Sequence, residues 1–297
     1  MAHVPGGTFR MGSEEFYEEE SPVREVSVGP FWVDEHPVTV AEYQRFVRAT
    51  GHVTVAEESP DPAAYPDADP SLLVPGSLVF QQSQGRVDLR DVTNWWSYVP
   101  GAEWRNPEGP GSSIRGREQH PVTQVAYADA EAYAAWAGKS LPTESEWEFA
   151  ARGGLDQARF AWGDDFAPDG TMMANTWQGE FPWQNLLQDG YAGTSPVGTF
   201  PPNGYGLYDM AGNVWEWTVD PWAMPADGEH ACCAPEVPRT MEAGASRDAD
   251  AIPRKVIKGG SHLCAPNYCL RYRPAARQGE TIDTSTGHLG FRCVVRE

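Results

Sequence analysis

The residues best suited to chemistry are two cysteines near the C-terminus, Cys264 and Cys269, in the segment GGSHLCAPNYCLRYRP. Pro266 lies between them, and because proline disrupts a continuous helix, this segment should form a turn or loop that can bring the two sulfurs together. Two soft sulfurs without further ligands suit a monovalent d10 ion such as Cu(I). The sequence therefore predicts a site made of two neighbouring thiols.

Three other readings of the pair stay open on the residues alone. A structural disulfide is disfavoured in a reducing compartment. A zinc site needs about four ligands, and neither a CxxC nor a nearby HxxxH completes one. The third alternative is two unrelated buried thiols.

The charge of the chain argues against a nucleic-acid partner. Lys and Arg number 22 against 42 Asp and Glu, which gives a net charge of −20, and a phosphate backbone would repel such a protein. Residues 254–297 differ, with eight Lys and Arg against three Asp and Glu. Both cysteines lie in this basic part, where positive charge favours thiolate over thiol.

The composition is typical of a globular protein, with 40% hydrophobic and 22% charged residues. No apolar run approaches the roughly 18 residues of a membrane helix. The start, MAHVPGGTFRMGS, shows no basic stretch followed by an apolar core, as a secretory signal would. We therefore expect a cytoplasmic protein with no membrane partner.

The elements that position the cysteines should be short, because 30 Gly and 26 Pro interrupt the chain. With 12 Trp, much of the core should be irregular backbone held by aromatic packing. Capping signals predict three helices: one capped by Thr39 and ended by Gly51, one over residues 129–137, and one capped by Thr143 and ended near Gly153. Short strands are predicted within residues 4–34, 255–260 and 290–295, and residues 55–120 as a long surface excursion. We expect one domain over residues 1–297.

Four segments resemble the formylglycine-generating enzyme family, also called sulfatase-modifying factors. They are GGTFRMGS, GKSLPTESEWEFAARGG, FPPNGYGLYDMAGNVWEWTVD, and GGSHLCAPNYCLRYRPAARQ followed by GHLGFRCV. The match runs in order over nearly the whole chain. The first three segments mark a superfamily that also contains iron-dependent sulfur-transfer enzymes and non-enzymatic members. The cysteine pair directly after GGS resembles the formylglycine-generating branch.

The resemblance implies an α+β fold, a single compact C-type-lectin-like domain with little regular secondary structure. It also implies an oxidoreductase that uses copper and oxygen to convert the cysteine of a Cys-x-Pro-x-Arg motif in sulfatases to Cα-formylglycine. The implied partners are an unfolded or extended sulfatase polypeptide and molecular oxygen. Cys264 and Cys269 would hold Cu(I), and the substrate thiolate would supply a third sulfur.

The resemblance implies active-site roles for four further residues: Ser261, Tyr268, Arg271 and Trp222. The serine hydroxyl can position water or oxygen, the tyrosine offers a donor, and the arginine charge favours thiolates. Trp222 would line the oxygen pocket. Ser261 is equally suited to an ordinary turn, and Trp222 to core packing. His262, beside the site, is as well suited to a peptide contact or a surface position as to the role of a ligand.

Two calcium sites are also implied by the resemblance. One consists of Asp209 and Glu216 through their side chains and Gly212 and Val214 through their carbonyls. The other consists of Asn175 and Asp189 through their side chains and Thr176 and Tyr191 through their carbonyls. Calcium prefers six to eight such oxygens, although Asn and Asp are also common in solvated turns.

The remaining cysteines predict no chemistry. Cys293 should be a packed core thiol; secreted relatives pair this position with a cysteine where the chain has Ala134, so the secretory disulfide is missing. Cys232 and Cys233 are adjacent, and their strained geometry disfavours a mutual disulfide.

Two alternative functions remain. A superfamily member that binds peptide without chemistry is one. An iron-dependent sulfur-transfer enzyme is the other, but it would need a His-rich site, and the seven His are scattered along the chain.

Overall fold

Short strands and three α-helices alternate with long irregular segments in the computed structural model, which describes residues 1–224 and 252–297. The strands and helices are β1 Ala2–Val4, β2 Gly7–Met11, β3 Arg24–Val28, β4 Phe31–Val33, α1 Val40–Thr50, β5 Gly76–Phe80, β6 Trp96–Pro100, α2 Tyr127–Trp136, α3 Glu144–Arg152, β7 Trp215–Pro221, β8 Arg254–Lys258, β9 Arg277–Thr281, β10 Leu289–Gly290 and β11 Val294–Arg296. Short 3-10 turns occupy Glu18–Glu20, Val55–Glu57, Pro62–Ala64, Pro70–Leu72, Val92–Asn94 and Pro168–Gly170.

Helices α1 and α3 confirm the predictions made from their caps. Thr143 accepts the amide of Glu146, and the Glu146 carboxylate accepts the amide of Thr143 in return; α1 has the same reciprocal pair at its start. Gly51 and Gly153 end the two helices in the left-handed region, at φ 72° and 57°. Glycine adopts this conformation without strain.

Helix α2 begins two residues earlier than predicted, at Tyr127. The reason is the Asp129 carboxylate, which accepts the backbone amide of Ala126 at 2.9 Å. Asp129 therefore lies inside the first turn and caps the helix from there. Aspartate is favoured both at the cap and in the first turn, so its residue type does not show which of the two positions it occupies.

The largest sheet has four strands in the order β10-β7-β8-β9. Strands β7, β8 and β9 are antiparallel neighbours, and β10 runs parallel to β7. The other strands form the sheet β1-β4-β11 and the hairpins β2–β3 and β5–β6. The sequence predicted β8 and β11 but not β7 or β9, which lie in segments without clear alternation.

The prediction of a surface excursion over residues 55–120 is wrong from Gly76 onward. Strands β5 and β6 pair over five positions, from Gly76 opposite Pro100 to Phe80 opposite Trp96. Trp95 and Trp104 are almost fully buried. The frequent Pro, Asp and Gly of this segment predicted a loop. Composition alone gives no information on which distant strands pair, so the buried apolar residues were not predicted.

The main core lies between α1, α2 and the four-stranded sheet, and Tyr43, Trp217 and Phe291 are among its members. Cys293 is fully buried in this core, as predicted, and is a free thiol. Cys264 and Cys269 lie at the edge of the same core. Among the described residues, no helix is long and apolar enough to cross a bilayer.

Candidate active site

The two predicted thiols are brought together by a tight loop that follows β8. The amide of Cys264 donates to the carbonyl of Ser261 at 2.9 Å, and the amide of Cys269 donates to Ala265 at 2.7 Å. These two turns leave the sulfurs 3.0 Å apart. Gly260 precedes the loop at φ 68°, and a Cβ there would lie 2.7 Å from the Arg271 carbonyl, so the close approach requires glycine.

Both sulfurs are free thiols, but their surroundings differ. Cys264 is buried and Cys269 is partly exposed. Burial raises the pKa of the Cys264 thiol well above its usual range. The hydrogen bond from Cys264 lowers the pKa of Cys269, and the positive charge of Arg271 lowers it further, against the effect of burial. The pair therefore consists of a buried thiol that holds its proton strongly and a more accessible thiol that loses its proton more readily.

A pocket opens beside the thiols. Its lining residues are Trp95, Trp96, Phe181, Trp215, Ser261, Leu263, Cys264, Tyr268, Cys269, Gln278 and His288. Three of the four further residues that the resemblance implied are at or near the pair: Ser261 and Tyr268 line the pocket, and Arg271 lies against Cys269. The walls are mostly aromatic, a surface suited to apolar parts of a ligand.

Trp222 does not lie where the resemblance implied, at the lining of the oxygen pocket. It is not among the residues that line this pocket. Its ring packs on β9, where a Cβ at Gly279 would lie 2.3 Å from it and the Arg277 guanidinium lies 4.7 Å above it. Residue type alone could not separate Trp222 from the three tryptophans that do line the pocket.

Ser261 links the cysteine loop to a histidine that the sequence did not indicate. Its amide donates to the Cys264 sulfur at 3.4 Å, and its hydroxyl lies 3.4 Å from His288 Nδ1. Burial lowers the pKa of His288 to about 3, so the imidazole is neutral at physiological pH. The pocket thus contains a hydroxyl and a neutral imidazole side by side.

Tyr268 and His262 have different positions around the loop. The Tyr268 ring stacks on Phe181 at 4.5 Å and contacts the edge of Trp95 at 5.3 Å. His262 is buried, and its Nδ1 lies 2.8 Å from the carbonyl of Asn213. Burial lowers the pKa of His262 to about 4. His262 is therefore a neutral structural residue and not the surface residue or peptide contact that its sequence context suggested.

Arg271 is fixed from several directions. One guanidinium nitrogen donates to Glu19, and another donates to Gln278 at 3.2 Å. Its guanidinium lies 4.2 Å above the ring of Tyr17. Tyr17 and Glu19 are more than 250 positions away along the chain, and sequence reasoning did not associate them with the site.

The calcium set predicted around Asn175 and Asp189 offers oxygens suited to a hard cation. Asn175 is buried, and its Oδ1 has no hydrogen-bond partner among the residues that the structure describes. The Asp189 carboxylate accepts the amides of Thr176 and Tyr191, at 3.0 and 2.9 Å. A buried amide oxygen without a partner is costly unless something binds it, so this set fits calcium.

The calcium set predicted around Asp209 and Glu216 lacks a comparable free oxygen on Glu216. Both Glu216 oxygens pair with Arg292, at 2.7 and 2.8 Å, and one of them also accepts from Trp147. Asp209 accepts the amide of Gly198 at 2.8 Å. The Glu216 charge is already balanced by a buried arginine, so Glu216 as a calcium ligand stays a prediction that this pair does not support.

This fold and this pair of thiols define a protein of the sulfatase-modifying type. The chain matches the family described as "Sulfatase-modifying factor enzyme 1-like domain" over residues 1–297. The chain therefore belongs to the sulfatase-modifying factor family, as the sequence motifs predicted.

Several similar proteins carry names that describe an activity. A Mycobacterium tuberculosis protein named "Formylglycine-generating enzyme" is 55% identical over 99% of this chain and 97% of its own length. A Bos taurus protein of the same name is 43% identical over 99% of this chain and 74% of its own length. A Mus musculus protein named "Inactive C-alpha-formylglycine-generating enzyme 2" is 39% identical over 99% of this chain and 84% of its length.

Solved structures agree with the architecture. PvdO from Pseudomonas aeruginosa superimposes with a TM-score of 0.63 at 26% identity, covering 98% of this chain and 92% of PvdO. CarF superimposes with a TM-score of 0.53 at 20% identity, covering 100% and 97%, and is similar in fold alone. The predicted α+β, C-type-lectin-like fold with few helices and several small sheets is confirmed.

Proposed function

We propose that this protein oxidises a cysteine side chain in another polypeptide to Cα-formylglycine, with Cys264 and Cys269 as its working thiols. The observation that carries the proposal is the pair of free sulfurs 3.0 Å apart at the wall of a pocket. The relatives named formylglycine-generating enzyme support it. A purely structural thiol pair would need neither the pocket nor a partly exposed sulfur.

Cu(I) fits the two thiols by their chemistry and spacing. A disulfide bond is about 2.05 Å long, and two sulfurs on one ion at zinc-like bond lengths of about 2.3 Å lie at most about 4.6 Å apart. The separation of 3.0 Å falls between these limits, so Cys264 and Cys269 could hold one soft monovalent ion between them. When bound, copper would supply a site for oxygen activation and for the substrate thiolate.

The chain's own residues have separate tasks in this proposal. Cys269 faces the substrate, and the Cys264 thiol and the Arg271 charge favour its thiolate form by lowering its pKa. The substrate cysteine loses two electrons and two protons to become a thioaldehyde. Molecular oxygen would accept these together with two electrons and two protons from the reductant, giving two waters. Water then adds to the thioaldehyde carbon, the aldehyde forms, and hydrogen sulfide leaves. The Ser261 hydroxyl and the neutral His288 lie together in the pocket, where they can orient that water.

The substrate that fits best is an unfolded or extended sulfatase segment with a Cys-x-Pro-x-Arg motif. The lining of the pocket is largely aromatic, and Phe181 and Tyr268 are stacked in it, so we expect the reactive cysteine to enter as a protruding side chain. The net charge of −20 favours association with the positive arginine of the motif.

The direct experiment incubates the full chain with Cu(I), oxygen, a reductant and a peptide containing the motif. We expect a peptide mass change in which one oxygen replaces one sulfur and two hydrogens, and reaction of the product with a hydroxylamine probe. Oxygen removal and a Cu(I) chelator should each stop the change, and a peptide with serine for the cysteine should not react. An unmodified peptide under all aerobic, copper-loaded conditions would refute the activity.

The second candidate is a peptide-binding protein without chemistry, and the relative named as inactive motivates it. Such a protein would bind the motif peptide and return it unchanged. Binding measured by fluorescence anisotropy, together with the mass analysis, separates the two candidates.

We also propose that the set around Asn175 and Asp189 binds one structural calcium ion. The partnerless, buried Asn175 Oδ1 supports this assignment. The ion would hold together two segments, residues 175–178 and 189–191, that contain no helix or strand.

A further inference from the structure

An N-terminal segment packs directly behind the second thiol. We call residues 16–20 the N-terminal clamp. The Tyr17 hydroxyl accepts the backbone amide of Leu270 at 2.9 Å. Leu270 follows Cys269 immediately, so this bond fixes the backbone at the thiol from a region at the opposite end of the chain.

The clamp also holds the two arginines that follow the thiol. Arg271 lies 4.2 Å above the Tyr17 ring and donates to Glu19. Arg273 forms a two-pronged, fully buried pair with Glu20 at 2.8 and 2.5 Å. Such paired contacts fix direction as well as distance.

Leu270 is therefore bound through both of its backbone groups. Its amide donates to Tyr17, and its carbonyl accepts from Arg273 Nε at 2.7 Å. On the other side, the Cys269 amide donates to Ala265 at 2.7 Å. Between Ser261 and Arg273 the chain forms no helix or strand that would hold the backbone rigid. The contacts with the N-terminal clamp therefore fix the backbone at Cys269.

We propose that Tyr17 and Glu19 are positioning residues that hold Cys269 in register with Cys264 and with the pocket. The proposal rests on the function proposed above. Tyr17 acts through the Leu270 amide and Glu19 acts through Arg271. Neither residue lines the pocket. A displacement of about 1 Å at a reacting group can cost about a hundredfold in rate, so the loss of one such contact should be measurable.

Tyr17→Phe tests the idea in the full-length, reduced protein, in a background of Cys232→Ser and Cys233→Ser. Phenylarsine oxide, which bridges two neighbouring thiols, is the probe of the Cys264–Cys269 separation and needs no copper or oxygen. We expect its affinity to fall about tenfold or more, and kcat for the peptide to fall similarly while KM stays within about twofold.

Tyr98→Phe is the matched control. It also removes one tyrosine hydrogen bond to a backbone group, the Val74 carbonyl at 2.6 Å, but Tyr98 lies outside the pocket lining. Wild-type affinity for the arsenical is expected there. Equal losses in Tyr17→Phe and Tyr98→Phe would show a general structural effect and overturn the proposal, as would wild-type affinity in Tyr17→Phe.

Glu19→Gln provides a second variant if Tyr17→Phe does not fold. It keeps an acceptor for Arg271 but removes the charge. We expect weaker arsenical binding, and a change in melting temperature no larger than that of Tyr98→Phe. Wild-type affinity in a folded Glu19→Gln protein would contradict the role of Glu19. If the wild type binds the arsenical but does not oxidise the peptide, the proposed function fails, and the arsenical comparison still decides the positioning role.

Discussion

The two thiols of the pocket have unequal chemistry because their surroundings are unequal. Cys264 is buried and keeps its proton, whereas Cys269 is partly exposed and lies beside Arg271. One thiol of the pair is thus prepared as a donor and the other as a nucleophile or ligand. In the reduced protein without metal, an alkylating reagent should modify Cys269 first and Cys264 only slowly, as read by peptide mapping. Preferential modification of Cys264 would contradict this assignment.

The neutral His288 gives a pH dependence with a defined sign. Its pKa falls from an unfolded value near 6.5 to about 3. Below about pH 6.5 the unfolded chain binds a proton that the folded protein refuses, so stability is lost as the pH falls. Between pH 7 and pH 5, this effect of His288 should lower the free energy of unfolding of the wild type by about 1 kcal/mol, allowing for the partial exposure of the side chain.

His288→Asn removes this titration and is the comparison for the measurement. Denaturant unfolding at pH 7 and pH 5 should show a smaller loss of stability in the variant than in the wild type. Parallel losses in the two proteins would mean that His288 is protonated in the folded state.

The buried pair of Glu216 and Arg292 predicts a large effect on stability. Glu216→Gln leaves the Arg292 charge buried without its counter-ion, and breaking a buried pair in this way costs about 3–5 kcal/mol. Asp156→Asn is the matched control, since its pair with Arg10 has a similar length of 2.7 Å but is exposed. We expect that change to cost far less, because water and salt screen an exposed pair. Similar costs for both variants would contradict the structural role of the Glu216 pair.

At the scale of the elements, local signals predicted the helices well. The capping boxes at Thr39 and Thr143 are complete within four residues of sequence, and both helices begin and end where those signals place them. The proximity of Cys264 and Cys269 could also be predicted from the sequence, because both residues lie in one short segment. The pairing of β5 with β6 and the contact of Tyr17 with Leu270 depend on distant parts of the chain, and no local pattern encodes them.

The cap of α3 provides a test at this scale. Thr143→Ala removes the acceptor for the Glu146 amide and should cost about 1 kcal/mol. Thr143→Ser keeps the hydroxyl and should recover most of that stability. Unfolding in denaturant measures both variants, and a Thr143→Ala protein as stable as the wild type would show that the cap contributes little.

At the scale of the whole molecule, long irregular segments must be held by contacts other than strands and helices. Aromatic packing supplies much of this, as the cluster of Trp95, Trp177 and Phe181 shows. The proposed calcium ion would supply more. The resemblance gave its ligands residue by residue, but only the structure distinguished the Asn175 set, with its free oxygen, from Glu216, which a distant arginine already neutralises.

Calcium removal should therefore destabilise the protein. At a calcium concentration about a hundred times its Kd, the ion would contribute about 2.7 kcal/mol, or about 5 °C or more in Tm for a chain of this size. EDTA should lower the Tm of the wild type by about that amount, and added calcium should restore it. Asp189→Ala should respond to neither reagent. A wild-type Tm that is insensitive to both would contradict the site.

The central claim is that two adjacent sulfurs together perform the oxidation. The most direct measurement is the rate of mass conversion of one motif peptide by the wild type, Cys264→Ser, Cys269→Ser and Cys293→Ala under identical copper and oxygen conditions. We predict that each serine variant loses at least about 99% of the activity, whereas Cys293→Ala, which alters a core thiol outside the pocket, retains most of it. Substantial conversion by either serine variant would contradict the claim.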